Sequence, residues 1–265
     1  MGRLGYYLRL LGVSMRTSLV TSMQYRFDFL IQAFFSILWS GLALFPLLVV
    51  FGDRTSVAGW SFGHALVVMG LFTLMRGVLE GAINPSLQAV VERIRTGSFD
   101  YTLLKPADAQ FLVSTTRFEP SHITDVIAGL GIIIYAFSDL GHVPGARDLG
   151  AAFLLITAAV AVMYSLWILI IASAFWVVRM DNLVFLLGAI FDAARWPIHV
   201  FRGTWRFVFT FIIPLALMTS FPAMALLGTL SLRTAIASLA GSAVFFLLAR
   251  SVWSLAIRSY TSASS

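Results

Sequence analysis

Few residues of this chain could perform chemistry, and none of them forms a catalytic set. There is no cysteine, and the four histidines, at positions 64, 122, 142 and 199, lack the short spacings that metal ligands share. No G-x-S-x-G segment is present to expose a serine nucleophile. The sequence therefore predicts no catalytic residue, no metal site and no cofactor bound by this chain itself.

A run of charged residues and one histidine lies between positions 192 and 206. Its members are spaced to share one helical face if Pro197 does not interrupt it: Asp192, Arg195, His199, Arg202 and Arg206. Aromatic residues alternate with them, which is typical of a membrane boundary, where arginines reach the head groups. One functional alternative is an outer-leaflet basic site for an anionic lipid or substrate. Another is an intramembrane lipid-modifying enzyme that uses Asp192, Arg195 and His199.

Other charged residues lie inside apolar stretches. Arg76 and Glu80 are four residues apart and could pair on one helical face, and Arg250 interrupts the last apolar stretch. A charge at membrane depth is costly and is a functional candidate by default. We therefore consider Arg76 and Glu80 candidates for a transport pathway, although a pair at a helix end is as often structural.

The amino-acid composition indicates what class of protein carries these residues. Hydrophobic residues make up 59% of the 265 positions and charged residues 11%. Soluble domains have about 45–50% apolar and about 25% charged residues. A mean hydropathy of +0.91 does not fit a soluble surface. The sequence predicts an all-α polytopic membrane protein with a single transmembrane domain over residues 1–265, located in the cell membrane.

The apolar stretches predict six transmembrane helices, since a span needs about 20 mostly apolar residues. They lie at about 29–52, 61–75, 126–138, 149–178, 182–191 and 234–257. The stretch 207–229 is also apolar but contains Pro214 and Pro222, which favours an outer-leaflet re-entrant hairpin over a seventh span. The last span carries small residues at Ala237, Ser238, Gly241 and Ser242, a face suited to close helix packing.

The distribution of arginine sets the expected orientation. Four arginines precede the first span, whereas the first two loops on the other side hold only Arg54 and Arg147. By the positive-inside rule the N-terminus is cytoplasmic. With the hairpin, the C-terminus is cytoplasmic too, because Arg258 then falls on the same side. Residues 3–26 have helical apolar spacing and predict an amphipathic interfacial helix on that surface.

A short helix is predicted over residues 85–96, outside the bilayer. Asn84 is a favourable N-cap, Pro85 suits the first helical position and Gly97 suits the C-terminal stop. Its apolar stripe consists of Leu87, Val90, Val91 and Ile94. A helix this short is marginal in water, so the stripe must pack on the chain's own helices or on a soluble partner.

The residues that follow carry a family resemblance. Ile94, Gly97 and Asp100 are followed by Leu103-Leu104-Lys105-Pro106, a pattern that resembles the membrane subunit of type 2 ABC exporters. The resemblance is to the branch of small six-span permeases that work with a separate ATPase. In span order it extends over the whole chain.

The resemblance implies roles for these segments and partners for the chain. Residues 3–26 would be an interface helix, 85–96 a coupling helix, and 207–229 a re-entrant hairpin. The ATPase would dock through Leu87, Val90, Val91, Ile94, Arg95, Asp100, Lys105 and Pro106. Two permeases, identical or homologous, would assemble with two ATPases and contact membrane lipid, and no nucleic acid is expected.

The ATPase itself is not encoded in this sequence. A P-loop needs the pattern G-x-x-x-x-G-K-[ST] to hold nucleotide phosphates. The only lysine, Lys105, lies between Leu104 and Pro106 and cannot belong to one. ATP and Mg²⁺ would therefore bind a separate polypeptide, and this chain is not expected to be an enzyme. A non-transporting membrane scaffold is the remaining alternative.

Overall fold

The computed structural model describes residues 3–52, 54–176 and 181–260. Over these residues the fold is helical, and the only β-pairing is an isolated bridge between Val57 and Trp60. We number the helices α1 Arg3–Gln24, α2 Arg26–Phe51, α3 Phe62–Arg95, α4 Asp100–Leu103, α5 Ala109–Ser114 and α6 Ile123–Leu140. The later helices are α7 Ala146–Ser173, α8 Asp181–Phe191, α9 Gly203–Ile212, α10 Ala216–Leu226 and α11 Leu232–Arg258.

Five helices in the described ranges are long and apolar enough to cross a membrane: α2, α3, α6, α7 and α11. Each coincides with a predicted span, so the prediction of an all-α polytopic membrane protein is confirmed. The helix predicted at 3–26 is present as α1, and its interfacial role stays a prediction. Its apolar side chains, including Leu4, Leu8 and Met23, are exposed.

The second span and the predicted helix at 85–96 are one continuous helix, α3. The prediction that Asn84 caps a separate helix is wrong, because Asn84 already has helical geometry. A π turn over Leu79–Ile83 precedes it, and the Asn84 N–H bonds to the Leu79 carbonyl five residues back. This wide turn accommodates Pro85, which has no N–H of its own, without ending the helix.

Glycines bring α3 and α6 into close contact. A Cβ atom on Gly129 would lie 2.6 Å from the Gly70 carbonyl oxygen and 2.6 Å from the Leu74 nitrogen. A Cβ on Gly77 would lie 2.9 Å from the Val126 nitrogen. The two backbones therefore approach as closely as small residues allow, a common arrangement of membrane helices.

The segment predicted as the fifth span is a short helix, α8, followed by two separate 3₁₀ turns. After α8 the chain forms 3₁₀ turns over Asp192–Arg195 and Ile198–Val200, with Trp196 extended between them. Pro197 forces its preceding residue out of helical geometry. The prediction that the charged residues from 192 to 206 share one helical face is therefore wrong.

A bent helix pair follows. Helices α9 and α10 meet at 71°, with buried Pro214 at the break between them. Before the pair, His199 contacts Trp60 in the loop between α2 and α3. After it, Gly228 lies near Asp148 at the start of α7. Both ends of the pair thus lie at one end of the bundle, which we call the far face.

The second proline, Pro222, does not break the helix as we predicted. Pro222 occupies the first turn of the regular helix Phe221–Leu226 within α10, where a missing N–H costs little. Thr219 donates to the Ala194 carbonyl at 2.7 Å, and the Ser220 hydroxyl accepts from the Ile198 N–H at 3.0 Å. They satisfy the backbone of the broken segment beside them.

Candidate functional site

The apolar stripe at the end of α3 is covered by the chain's own core. Leu87 and Val90 are fully buried, and Val91 and Ile94 pack against the same core cluster, which α7 also lines. Burying a residue of this size contributes about 1.5–3 kcal/mol. Leu87 and Val90 are therefore packed against the chain itself, the alternative that the sequence left open, and are not available to a soluble partner. Val91 and Ile94 are half-buried, and their part in docking stays a prediction.

The chain turns sharply after α3 into a segment that we call the connecting segment, residues 96–108. Gly97 adopts a φ of +72°, a conformation that favours glycine and ends the helix where the sequence predicted. The Phe99 N–H then bonds to the Arg93 carbonyl at 3.1 Å. This turn directs the Phe99 side chain inward.

Phe99 is the anchor of the connecting segment. It is fully buried, and its ring makes edge contacts with Phe175, Trp253 and Tyr260 at centroid distances of 5.5, 6.4 and 5.5 Å. Phe175 follows α7, and the other two rings lie at the end of α11. The cluster thus ties the connecting segment to two membrane helices. We did not predict it, because its members are far apart in sequence and each resembles an ordinary interfacial aromatic.

The opposite side of the connecting segment is open. Tyr101 is 73% exposed and Leu104 80% exposed, and Lys105 and Pro106 are exposed beside them. Of the other predicted docking residues, Asp100 is half-buried at the start of α4, and Arg95 is exposed with its guanidinium 2.7 Å from Glu92. The exposed part of the predicted docking surface is therefore the connecting segment and the last turn of α3.

Asp108, at the end of the connecting segment, joins three other elements. Its N–H donates to the Tyr7 hydroxyl of α1 at 3.1 Å, and its carboxylate accepts from the Phe111 N–H at the start of α5. Arg250 of α11 contacts both carboxylate oxygens, at 2.5 and 3.1 Å. These hydrogen bonds hold the pKa of Asp108 below its usual value, so the pair stays charged at neutral pH.

The same network reaches α7. Arg250 also donates to the Gln110 side-chain oxygen at 2.7 Å, and the Gln110 amide donates to the Tyr164 hydroxyl at 2.9 Å. We call this set of five residues the polar hub: Tyr7, Asp108, Gln110, Tyr164 and Arg250. It connects α1, α5, α7 and α11 at the side of the bundle that carries α1. Arg250, the charge that interrupts the last apolar stretch, is thus paired with the connecting segment.

The charged pair predicted in α3 does not form in the described part of the chain. The Glu80 carboxylate instead accepts from the Asn84 amide at 3.0 Å, and Asn84 accepts from the Trp167 indole of α7 at 2.5 Å. Helical spacing made the Arg76–Glu80 pair possible, but the π turn between them changes their register.

The charged residues between 192 and 206 have separate partners. Arg195 pairs with Asp192 at 3.2 Å and lies 5.4 Å over the Phe72 ring, whereas His199 Nδ1 accepts from the Trp60 indole at 3.1 Å. Arg202 and Arg206 are exposed at the far face. Asp192 and Arg195 therefore pair with each other, but no described contact joins His199 to them, as the lipid-modifying alternative would need. No group of three metal-ligating side chains occurs in the ranges described above.

A buried carboxylate, Asp125 at the start of the third predicted span, links α2 to α6. Asp125 is 2% exposed and accepts hydrogen bonds from the hydroxyls of Ser36 and Ser40, at 2.5 and 3.1 Å. His122 Nδ1 lies 2.8 Å from its other oxygen. With its hydrogen bonds satisfied in this way, Asp125 is a structural link between helices rather than an open site.

Comparison with known families agrees with this architecture. Residues 37–264 match the model of the ABC-2 family transporter protein. A search of curated proteins and a search of solved structures gave no match. Because the match covers most of the chain, the protein belongs to the ABC-2 transporter family. It is a transmembrane permease of an ABC transporter, a class that associates with ABC ATPases.

Proposed function

We propose that this chain is half of the translocation pathway of an ATP-driven exporter and that a separate ATPase docks on its connecting segment. One observation carries the proposal: one side of this short segment is anchored to the membrane helices and the other side is exposed. Phe99 and Asp108 fix it to α1, α7 and α11, whereas Tyr101, Leu104 and Lys105 face outward. An ATPase bound to the exposed side would transmit its movement to the membrane helices through the contacts of Phe99 and Asp108.

The charges and the geometry support an orientation for this arrangement. The connecting segment contacts α1, whose arginines mark the cytoplasmic side by the positive-inside rule. The end of α11 reaches the same side through Arg250 and Trp253, which supports a cytoplasmic location for both termini. The bent pair α9–α10 then enters and leaves at the outer surface, as a re-entrant hairpin.

Export and assembly follow from the family resemblance. Helices α2 and α11 are mostly exposed in the single chain, which leaves ample apolar surface for lipid and a second permease, identical or homologous. ATP and Mg²⁺ would bind the ATPase subunit. Outward transport is the direction used by the type 2 exporters that the motif from Ile94 to Pro106 resembles.

Docking is tested by co-purification of the permease with its ABC ATPase. Leu104→Asp places a charge where a partner would cover an apolar side chain, and we expect at least a ten-fold loss of bound ATPase. Val143→Asp is the matched control, because Val143 is 86% exposed in the loop of the far face. Equal ATPase recovery with both variants would contradict docking on the connecting segment.

A further inference from the structure

A cavity of about 780 Å³ lies at the far face, between the bent pair α9–α10 and the first half of α11. This volume is within the range of small-molecule sites. Its walls are mostly apolar and include Phe207, Phe211, Leu217 and Phe245. An occupant must therefore present an extended apolar part to these walls.

The face of α11 toward the cavity is packed at some small residues and open at others. Ala237, Ser238, Gly241 and Ser242 all line the cavity, but Ser238 and Ser242 are buried, whereas Ala237 is exposed and Gly241 is half-buried. A Cβ atom on Gly241 would meet nothing within 4 Å. The small residues thus create space beside α11.

The mouth of the cavity is positively charged. Arg206 and Arg233 both line it and are exposed, and neither forms an ion pair with any residue that the structure describes. His199 lies beside them, and no acidic side chain is found among the described lining residues. The charge favours an anionic group at this position.

An unpaired hydroxyl group, that of Ser238, lies beside the cavity further along α11. Ser238 is 5% exposed, and its Oγ atom has no hydrogen-bond partner within the described residues. It follows Arg233 by five residues, or about 7.5 Å along the helix axis. Buried hydroxyls are normally paired, and rotation about the Cα–Cβ bond would let this one, which is closed off from the cavity, donate to an acceptor of a bound molecule.

We propose that this cavity binds one anionic phospholipid from the outer leaflet. The phosphate contacts Arg206 and Arg233, an ester carbonyl one helical turn or so deeper accepts from Ser238, and an acyl chain lies along Gly241 and Phe245. Anionic head, ester oxygen and hydrocarbon chain occur in this order and at this spacing in a phospholipid. The site is independent of ATPase docking, because it lies at the other end of the bundle.

Native mass spectrometry of the detergent-purified permease tests the proposal. The protein is incubated with equal amounts of phosphatidylglycerol and phosphatidylcholine that carry the same acyl chains. We expect one bound lipid with a preference of about ten-fold for phosphatidylglycerol, because two arginines contact its phosphate without a choline charge nearby. The double variant Arg206→Gln/Arg233→Gln should lose this preference, whereas Arg147→Gln, at an exposed arginine away from the cavity, should keep it.

A second variant separates the site from general lipid affinity. Gly241→Leu fills the cavity without a backbone clash and favours the helix, so the protein should fold while the bound lipid disappears. The proposal is overturned if Gly241→Leu retains the lipid, or if the two lipids bind equally to the wild type. Displacement by glycerol phosphate alone would instead identify a free-anion site. A loss of permease dimer in Gly241→Leu, with lipid unchanged, would identify a second copy as the occupant.

Discussion

The ion pair between Asp108 and Arg250 offers the sharpest test of how the connecting segment acts. We predict that removing it uncouples ATP hydrolysis from the permease while the protein remains folded. Asp108→Asn is the informative change, because asparagine still caps α5 and so only the charge is lost. Arg250→Gln removes the other charge, and Arg250→Lys keeps the charge but not the two-point geometry.

The structure sets the magnitude of the effect on stability. The Asp108 and Arg250 side chains are 35% and 47% exposed, so solvent screens their attraction. Exposed pairs contribute about 0.2–1 kcal/mol, and the bidentate geometry places this one near the upper end. A loss of about 1 kcal/mol is small against the 5–15 kcal/mol of an ordinary domain. Thermal unfolding in detergent should therefore change little.

The effect on coupling should be larger. The assay is the ATPase rate of the assembled complex, relative to the ATPase subunit alone. We expect Asp108→Asn and Arg250→Gln to lose most of the permease-dependent rate and Arg250→Lys to retain part of it. Arg95→Gln is the control, because it breaks an exposed pair within one helix turn. If Asp108→Asn and Arg250→Gln behave like Arg95→Gln, the polar hub does not transmit the movement.

Two further predictions address packing and topology. Gly129→Ala should destabilise the α3–α6 contact by about 1–3 kcal/mol, because its Cβ would meet the Gly70 carbonyl. Gly131→Ala, with nothing within 4 Å, should not, and equal unfolding temperatures would contradict this packing. In whole cells, Arg202→Cys should react with an impermeant external thiol reagent, since the native chain has no cysteine. Ser264→Cys, beyond the described residues, should not react, and external labelling there would establish seven spans.

Much of the fold could be predicted because its determinants are local. Apolar stretches of sufficient length identify the membrane helices, and a bilayer leaves the backbone of such a stretch little alternative to a helix. The same reasoning located the break at Pro214 and the turn at Gly97, since each depends on the conformational limits of a single residue. The motif from Ile94 to Pro106 pointed to the transporter family that the comparison then showed.

Which side chains are exposed, and what they touch, was decided by the tertiary structure. Periodicity revealed the stripe of Leu87 and Val90 but not its cover, because α7 is distant in sequence. Asp108 and Arg250 are 142 positions apart, and no local pattern connects them. The small residues of α11 predict close packing, and the structure buries Ser238 and Ser242 but leaves a cavity beside Ala237 and Gly241. Local sequence determines which segments become helices, whereas long-range packing determines which of their surfaces remain free for partners.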